Sequence, residues 1–229
     1  MRLLLPLLEL LFPSRCLLCR ARQDEGEAGG FCAACLADLP DPAACCRTCG
    51  RLLPERGVCP ACRGYRLAFS GACAAGPYRG KMKRVIHRYK YEAQPQLALP
   101  LGRLLARQVR RCPWPAFSAV VPIPLHRQRL AERGFDQSLL LAEAVAGDFG
   151  VPLLPALQRT RDTVSQTRLA AAERWGNVRE AFAVVPGVVL NGNILLVDDL
   201  LTTGATAHYA AEALLSGGAG AVYLAVAAR

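Results

Sequence analysis

The stretch at positions 193–207 constrains the fold more than any other part of the sequence, and it reads N-I-L-L-V-D-D-L-L-T-T-G-A-T-A. Its apolar run, 194–197, has the length and composition of a strand that is buried on both faces. A polar turn follows, and a helical pattern begins at Ala205. Because the start of a helix presents backbone N–H groups and a positive dipole end, this order of elements predicts a phosphate site.

Two adjacent carboxylates, Asp198 and Asp199, extend this prediction from a phosphate to a phosphorylated sugar. Such a pair accepts hydrogen bonds from vicinal hydroxyls and can hold Mg²⁺ directly or through water. The Walker B strand of nucleotide triphosphatases also ends in acids, but it needs a Walker A loop elsewhere. The nearest stretch, 76–82, is one residue short and has Met82 where Ser or Thr is required. Since the acids stand at a strand end, we expect both to be replaceable without much loss of stability.

Positions 195–206, L-L-V-D-D-L-L-T-T-G-A-T, resemble the phosphoribosyl diphosphate signature of the type I phosphoribosyltransferases. The resemblance implies that Asp198 and Asp199 are the catalytic acids and contact the ribose hydroxyls, with Mg²⁺ as the metal. It also implies that the turn binds the 5-phosphate, through Thr202, Thr203, Gly204, Ala205 and Thr206.

Cysteine spacing is the second constraint, because eight of the eleven cysteines form C-x-x-C pairs before residue 63. The pairs are Cys16/Cys19, Cys32/Cys35, Cys46/Cys49 and Cys59/Cys62. Two thiolates at this spacing grip one metal ion, and two such pairs complete a tetrahedral site, so we predict two structural zinc sites in consecutive ribbons. The spacing leaves open a cross-braced arrangement in which the first pair joins the third. Cys73 and Cys112 are expected to be buried without partners.

The remainder of the chain alternates between strand and helix patterns. We expect strands at 118–123, 151–154, 194–198 and 221–227, and helices at 81–91, 101–109, 136–147 and 205–216. This alternation predicts an α/β fold with a parallel sheet flanked by helices, whose ligand lies at the carboxyl ends of the strands. Pro95 and Pro100 are expected to separate the first two helices, and residues 124–135 and 158–180 are expected to be polar loops.

The net charge of +10 is concentrated in one segment, 78–111, which holds ten Lys or Arg residues against the single acid Glu92. On the helix predicted at 81–91, the basic residues, including Lys90, are assigned to the faces outside an apolar stripe of Met82, Val85, Ile86 and Tyr89. Either a polyanionic partner or a solvated helix face accounts for this charge.

Motifs along the whole chain resemble one family, the ComF (ComFC/GntX) family. They are the cysteine-rich head, Y-R-G-K-M-K-R-V-I-H-R-Y-K-Y at 78–91, V-V-P-I-P-L-H-R-Q-R-L-A-E-R-G-F-D-Q-S at 120–138, R-T-R-D-T-V-S-Q-T at 159–167 and N-V-R-E-A-F at 177–182. The resemblance implies an N-terminal helix and double zinc ribbon at 1–66, and a type I phosphoribosyltransferase domain at 67–229. It further implies a bacterial protein linked to competence and the use of external DNA.

By the same resemblance, the loop after Ile123 binds the diphosphate, with Arg127, Arg129 and Arg133 as donors. The loop at 159–174 closes over the site and brings Arg161 or Arg174 to the leaving group. Two hypotheses result. The protein is a phosphoribosyltransferase that uses phosphoribosyl diphosphate with Mg²⁺, or it is a non-catalytic accessory protein that binds single-stranded DNA beside the competence machinery and only senses the nucleotide. The acceptor substrate and the question of turnover stay open.

Residues 1–13 are apolar but contain Glu9, and no small-residue cleavage site follows them, so a signal peptide is not expected. The stretch is also too short to span a bilayer. We expect a short amphipathic helix packed on a cytoplasmic protein, with contact at the inner membrane surface as the alternative and no stable membrane insertion. In that compartment disulfides are disfavoured, which supports metal binding by the cysteines.

Overall fold

The computed structural model describes residues 15–22, 30–55, 57–64, 66–160, 175 and 181–229. Its centre is a four-stranded sheet of the order β1-β6-β5-β2 in which all neighbours are parallel. The strands are β1 (Gly71–Gly76), β2 (Ala119–Pro122), β5 (Asn193–Leu200) and β6 (Ala221–Ala228). A separate antiparallel pair consists of β3 (Leu157–Arg159) and β4 (Phe182–Val184). The predicted α/β fold with a parallel sheet is therefore confirmed.

Helices cover both faces of this sheet. They are α1 (Ala33–Ala37), α2 (Gly80–Tyr91), α3 (Ala98–Val109), α4 (Arg127–Arg133), α5 (Gln137–Phe149) and α6 (Ala205–Ser216). One hydrophobic cluster joins the sheet to α2, α3 and α5, and a second cluster joins the opposite face to α6 and the β3–β4 pair. Because side chains alternate along a strand, the central strand β5 must be apolar at every position between the two layers.

The apolar run of β5 shows this alternation directly. Leu195 and Val197 belong to the cluster beneath α2, α3 and α5, whereas Ile194 and Leu196 belong to the cluster beneath α6. All four side chains are buried. The prediction of a strand buried on both faces is confirmed, and this position in the sheet fixes where the following acids emerge.

Three boundaries differ from the predictions. Helix α3 begins at Ala98, so Pro100 lies in its first turn, where a missing N–H costs no hydrogen bond. Helix α4 forms inside the predicted polar loop at 124–135, and it ends at Gly134 in the left-handed conformation with a φ of 76°. The strand predicted at 151–154 forms a single bridge, between Leu153 and Val120.

The loop predicted at 158–180 is bounded by the short strands β3 and β4, which pair with each other. Its interior, 161–174 and 176–180, lies outside the described residues, and so do the predicted donors Arg161 and Arg174. The predicted N-terminal helix at 1–13 also lies outside them. In the described part of the chain, no helix combines the length and the apolar character needed to cross a membrane.

The cysteine-rich head is attached to the sheet in two different ways. Its first half shares the hydrophobic cluster of α2 and α3, with Cys16, Leu18, Phe31 and Cys35 all buried in it. Its second half forms a small cluster of its own, to which Leu53 is added. The first half is thus part of the main core, and we retain the division of the chain at residue 66 as a proposal.

The contact between α3 and α5 generates a stability prediction. A Cβ atom added at Gly102 would lie 2.4 Å from Cβ of Ala144, so the two helices would have to move apart. We expect Gly102→Ala to lower the free energy of unfolding by about 1–3 kcal/mol through overpacking. Denaturant unfolding measures this change.

A matched control lies on α5 itself. A Cβ added at Gly147 would meet no atom within 4 Å, and the residue is exposed. Because Ala loses less backbone freedom than Gly in a helix, Gly147→Ala should raise the free energy of unfolding by about 0.5 kcal/mol. Equal effects of the two substitutions would contradict the close helix contact at Gly102.

Candidate ligand site and metal centres

The acids of β5 emerge at the carboxyl edge of the sheet, where ligands bind in open parallel sheets. A cavity of about 360 Å³ opens at this edge. Asp198 and Asp199 lie in its wall together with the turn that follows β5 and the loop that follows β2. The residues from other elements that line it include Tyr78, Lys90, His126, Arg129, Arg133, Ser138 and Arg159. The structure therefore brings the predicted acids together with a group of cationic side chains.

Asp199 is buried and is held by two cations. Its Oδ1 lies 2.7 Å from Nζ of Lys90, and its Oδ2 lies 3.8 Å from Nη1 of Arg133. Lys90 is only 9% exposed, so its assignment to a face outside the apolar stripe was wrong. The sequence does carry a signal for its burial, because Lys90 follows Ile86 by four positions and therefore lies on the apolar stripe of α2.

This ion pair changes the expectation that both acids can be replaced without much loss of stability. If Asp199 were neutralised, the ammonium group of Lys90 would stay buried without its carboxylate partner. Removing one member of a buried ion pair costs about 3–5 kcal/mol. The structure thus predicts a large loss of stability for Asp199 variants, and Asp198 becomes the acid that can be tested.

Asp198 has a different environment from its neighbour. Its Oδ1 accepts hydrogen bonds from Oγ of Ser138 and from the backbone N–H of Asp199, both at 2.8 Å. Burial raises the pKa of Asp198 to about 7, and the charge of Asp199 adds to the rise, while Lys90 and the Ser138 hydroxyl oppose it. The two adjacent acids therefore differ, with Asp198 changing charge near neutral pH.

The turn after β5 borders two cavities, and Thr202 and Gly204 line both of them. Thr202, Gly204 and Thr206 line the cavity with the acids, and Gly204 starts helix α6 with a φ of 91°. Thr203 instead lines a neighbouring cavity of about 310 Å³, and its Oγ1 lies 3.4 Å from the backbone N–H of Ala205. Ala205 is fully buried, so only its backbone is available to a ligand.

The arginines of α4 are likewise divided. Arg129 and Arg133 line the cavity, whereas Arg127 is exposed and is not part of its wall. Asp136 ties this loop to α5, because its two oxygens accept hydrogen bonds from the N–H groups of Leu125 and Leu139 at 3.0 Å. The loop after β2 is therefore held as an ordered helix-bearing segment.

Five polar or charged side chains of the site were missed by the sequence reasoning. They are Tyr78, Lys90, Tyr91, Ser138 and Arg159. Arg159 stands at the end of β3, donates from Nε to the carbonyl of Pro124 at 3.2 Å and lies over the ring of Phe182. Apart from the position of Lys90 on its helix, no local pattern marks these residues, because only the packing of distant elements brings them to one edge.

The paired cysteines form two compact clusters. Within each, the four sulfur atoms lie within 4.8 Å of one another, and the clusters are Cys16/Cys19/Cys32/Cys35 and Cys46/Cys49/Cys59/Cys62. The consecutive arrangement is thus confirmed, and the cross-braced alternative is wrong. Four thiolates around one point are the ligand set of structural Zn²⁺, so the chain has two zinc-ribbon sites of four cysteines each.

Local backbone geometry prepares both clusters for metal. Sγ of Cys16 accepts a hydrogen bond from the N–H of Cys32 at 3.4 Å, and Sγ of Cys46 accepts one from the N–H of Cys59 at 3.3 Å. Burial opposes ionisation of Cys16, but backbone N–H groups around its sulfur lower its pKa to about 6. A thiolate is the form that binds metal, so these bonds favour the ligand state.

The three other cysteines lie outside the metal clusters. None of the eleven, all of which the structure describes, is in a disulfide. Cys73 and Cys112 belong to neither metal cluster, as expected, and Cys73 is buried whereas Cys112 is half-buried. Their thiols donate to the backbone carbonyls of Ala74 at 3.9 Å and Gln108 at 3.7 Å. Cys45, which adjoins Cys46, lies outside the second cluster and donates from its thiol to the carbonyl of Asp41 at 3.6 Å.

The environment of Asp198 generates a prediction about pH. This carboxyl holds its proton more tightly in the folded protein, where its pKa is about 7, than in the unfolded chain, where an Asp has a pKa of about 3.9. Its stabilising contribution is therefore fully present below pH ~4 and is lost as the pH rises through 7.

The variant Asp198→Asn stays neutral at every pH, so its stability relative to the natural protein should increase as the pH rises from mildly acidic to mildly alkaline. The expected increase is at most about 1.4 kcal/mol per pH unit. Urea unfolding of both proteins across this range measures the difference. A difference that does not change with pH would show that Asp198 is not a buried, late-titrating acid.

Comparisons with known proteins agree with the cysteine clusters. Residues 7–63 match a family model described as a double zinc ribbon domain. Among solved structures, the chain aligns with the glutamine phosphoribosylpyrophosphate amidotransferase of B. subtilis at 24% identity and a TM-score of 0.41. This alignment covers 61% of the present chain but only 30% of the length of the amidotransferase chain. A TM-score this low does not establish a shared fold. The parallel sheet is established by the pairings between its own strands.

Relatives cover most of the sequence. The DNA utilization protein YhgH of Escherichia coli (strain K12) is 30% identical over 217 residues, which span 92% of this chain and 94% of that protein. YhgH of Salmonella typhi is 30% identical over 200 residues, with 77% and 86% covered. The competence protein ComFC of Bacillus subtilis is 28% identical over 179 residues, with 76% and 72% covered. An identity of 30% that extends over nearly the whole of both chains establishes the relationship, and the chain belongs to the ComF/YhgH family.

Proposed function

We propose that the chain binds phosphoribosyl diphosphate with Mg²⁺ and acts as a phosphoribosyltransferase in the use of external DNA. One observation carries the proposal. Asp198 and Asp199, at the carboxyl end of β5, share a cavity with the start of α6 and with Arg129, Arg133 and Arg159. Acids for sugar hydroxyls, a helix start for a phosphate and arginines for a diphosphate are the groups that this ligand requires.

Each part of the ligand has a partner in this arrangement. The ribose hydroxyls would donate to the two carboxylates, and the 5-phosphate would accept from the turn at Thr202, Gly204 and Thr206. Mg²⁺ prefers hard oxygen ligands, which Asp198 and Asp199 supply, and it would neutralise part of the diphosphate charge when bound. Because Lys90 already balances Asp199, Asp198 is the acid whose charge is left for the metal.

The cavity also suits displacement at the anomeric carbon. As diphosphate leaves, negative charge grows on its oxygens, and fixed guanidinium groups nearby stabilise that charge without having to reorganise. Arg133 is held ready for this, because its Nη1 donates to Oε1 of Gln137 at 2.7 Å and its guanidinium lies over the ring of Tyr91. The nature of the acceptor is left to experiment.

The names of the relatives support a setting in DNA metabolism. YhgH is described as a DNA utilization protein, and ComFC as a competence protein. A phosphoribosyltransferase in that setting would act on products of imported DNA, and single-stranded DNA and the competence machinery become its proposed partners.

The test is calorimetric binding of phosphoribosyl diphosphate with Mg²⁺ at mildly alkaline pH, where Asp198 is ionised. Asp198→Asn should abolish measurable binding, because it removes the free carboxylate charge. Arg129→Gln should weaken binding by about tenfold, since a charged hydrogen bond contributes about 1.5–3 kcal/mol. Arg127→Gln, on the same helix but outside the cavity, should have a smaller effect.

Unchanged affinity in Asp198→Asn, or equal losses in the Arg127 and Arg129 variants, would contradict the assignment of this cavity. Turnover is scored separately, as diphosphate released when a panel of nucleobases is added. Binding without release for any base would leave a ligand-binding protein and not a transferase.

A second function, single-stranded DNA binding, is favoured by the exposed side of α2. Lys83 and Arg84 are exposed there, whereas Lys90 lines the cavity and forms an ion pair with Asp199. Lys81 is also engaged, because its Nζ lies 3.8 Å from Sγ of Cys35. Cations that form no ion pair with the described residues can contact a phosphate backbone, and this interface would be separate from the nucleotide site.

If Lys83 and Arg84 contact DNA, binding should weaken steeply with salt, because each neutralised phosphate releases counterions. The slope of log K against log salt should flatten by up to about 1.4 in Lys83→Gln/Arg84→Gln, at about 0.7 per lost contact. A charge-matched control is Arg103→Gln/Arg107→Gln on α3. Equal flattening in both variants would mean that net charge, and not α2, governs binding.

A further inference from the structure

The side chain of Arg229 joins the second cysteine cluster to the turn after β5. Its Nε donates to the carbonyl of Cys49 at 3.0 Å. Its Nη1 donates to the carbonyls of Leu201 at 3.1 Å and Thr202 at 2.5 Å. One guanidinium thus binds three backbone carbonyls, one from the metal cluster and two from the turn that precedes α6.

Arg229 is itself held firmly. Its backbone N–H donates to the carbonyl of Gly76, and its carbonyl accepts from the N–H of Tyr78, so the residue continues the ladder between β6 and β1. On the other side, the N–H of Leu201 donates to the carbonyl of Ala228 at 3.0 Å. The backbone of Arg229 is therefore fixed to the sheet. A displacement of the carbonyl of Cys49 can then be passed through the side chain to the carbonyls of Leu201 and Thr202.

Because the peptide group is planar, the two contacts of Arg229 with the turn also orient neighbouring N–H groups. In a trans peptide the C=O group and the next N–H group point in opposite directions within one rigid plane. Holding the carbonyls of Leu201 and Thr202 therefore also fixes the directions of the N–H groups of Thr202 and Thr203, on the side away from Arg229. Backbone N–H groups in a turn are the donors that bind a phosphate, so their direction decides its affinity.

The other end of the connection depends on metal. Cys49 is one of the four ligands of the second cluster, whose hydrophobic surroundings among the described residues are its own cysteines and Leu53. A knuckle of this size keeps its shape through its metal ion. The first cluster differs, because Cys16 and Cys35 are buried in the core formed with α2 and α3.

We propose that Arg229 is a positioning residue that couples metal binding in the second cysteine cluster to anion binding by the turn at 201–206. Metal in the Cys46/Cys49/Cys59/Cys62 site holds the carbonyl of Cys49, and Arg229 passes this constraint to the turn. Metal in the first site has no such effect. The anion part rests on the proposed function, since it takes the turn as the phosphate site.

Hydrogen–deuterium exchange tests the coupling without any ligand. Arg229→Met and Cys59→Ser should both speed exchange of the amides at 202–206 by about tenfold or more, because each releases the turn. Cys32→Ser, the matched change in the first cluster, should leave this exchange near that of the natural protein. Metal analysis should find both zinc ions in Arg229→Met and one in each cysteine variant.

Calorimetry with phosphoribosyl diphosphate and Mg²⁺ adds the anion readout. Arg229→Met should weaken binding about tenfold, and Arg229→Lys should lose less, because an ammonium group restores the charge but cannot reach all three carbonyls. Natural exchange rates in Arg229→Met and Cys59→Ser, or equal acceleration in Cys32→Ser, would overturn the coupling. If the natural protein binds no phosphoribosyl diphosphate, the proposed function fails, and the exchange experiment still decides the coupling.

Discussion

The ion pair between Lys90 and Asp199 is the interaction on which the arrangement of the site depends. It lets a strand that is buried on both faces end in a carboxylate that is itself buried. The ammonium group comes from α2, so the pair also fixes that helix over the carboxyl edge of the sheet. Next to it, Tyr89 donates to the carbonyl of Gln137 at 2.7 Å and ties α2 to the start of α5. The ion pair of Lys90 and the hydrogen bond of Tyr89 therefore hold α2 in one position relative to the sheet and α5.

The balance of charge around this pair explains why two adjacent acids do not behave alike. Asp199 meets Lys90 and Arg133, whereas Asp198 receives hydrogen bonds from a hydroxyl and an amide. One carboxylate is thus paired with two cations, and burial raises the pKa of the other to about 7. A site of this kind can add a cationic or hydroxyl-bearing ligand at Asp198 without leaving a buried lysine unpaired.

Local patterns in the sequence predicted the features that are determined by residues close together in the chain. The apolar run at 194–197 predicted the central strand, and the C-x-x-C spacings predicted both metal clusters, because each pattern needs few distant partners. Arg229 could not be assigned in this way, and the one local signal for Lys90, its position four residues after Ile86, competes with the basic composition of its helix. A lysine on a basic helix and an arginine after a strand look like surface charges until the packing of α2 and the ladder beside β6 give them buried or bridging partners. Helix α4 was missed because its seven residues are too few to show an apolar period.

The pairing of β1 with β6 has a consequence for synthesis on the ribosome. Strand β1 leaves the ribosome before β2 and β5, yet its hydrogen-bonding neighbour is β6, which is made after both. Its backbone groups must stay unpaired while β2, β5 and α6 are translated, and an unpaired strand edge is a site of aggregation. The cysteine-rich head precedes β1 in the sequence, so it is made before the surface on which its first half packs. Loading of zinc onto the nascent chain would then keep the cysteine-rich head folded and soluble during translation.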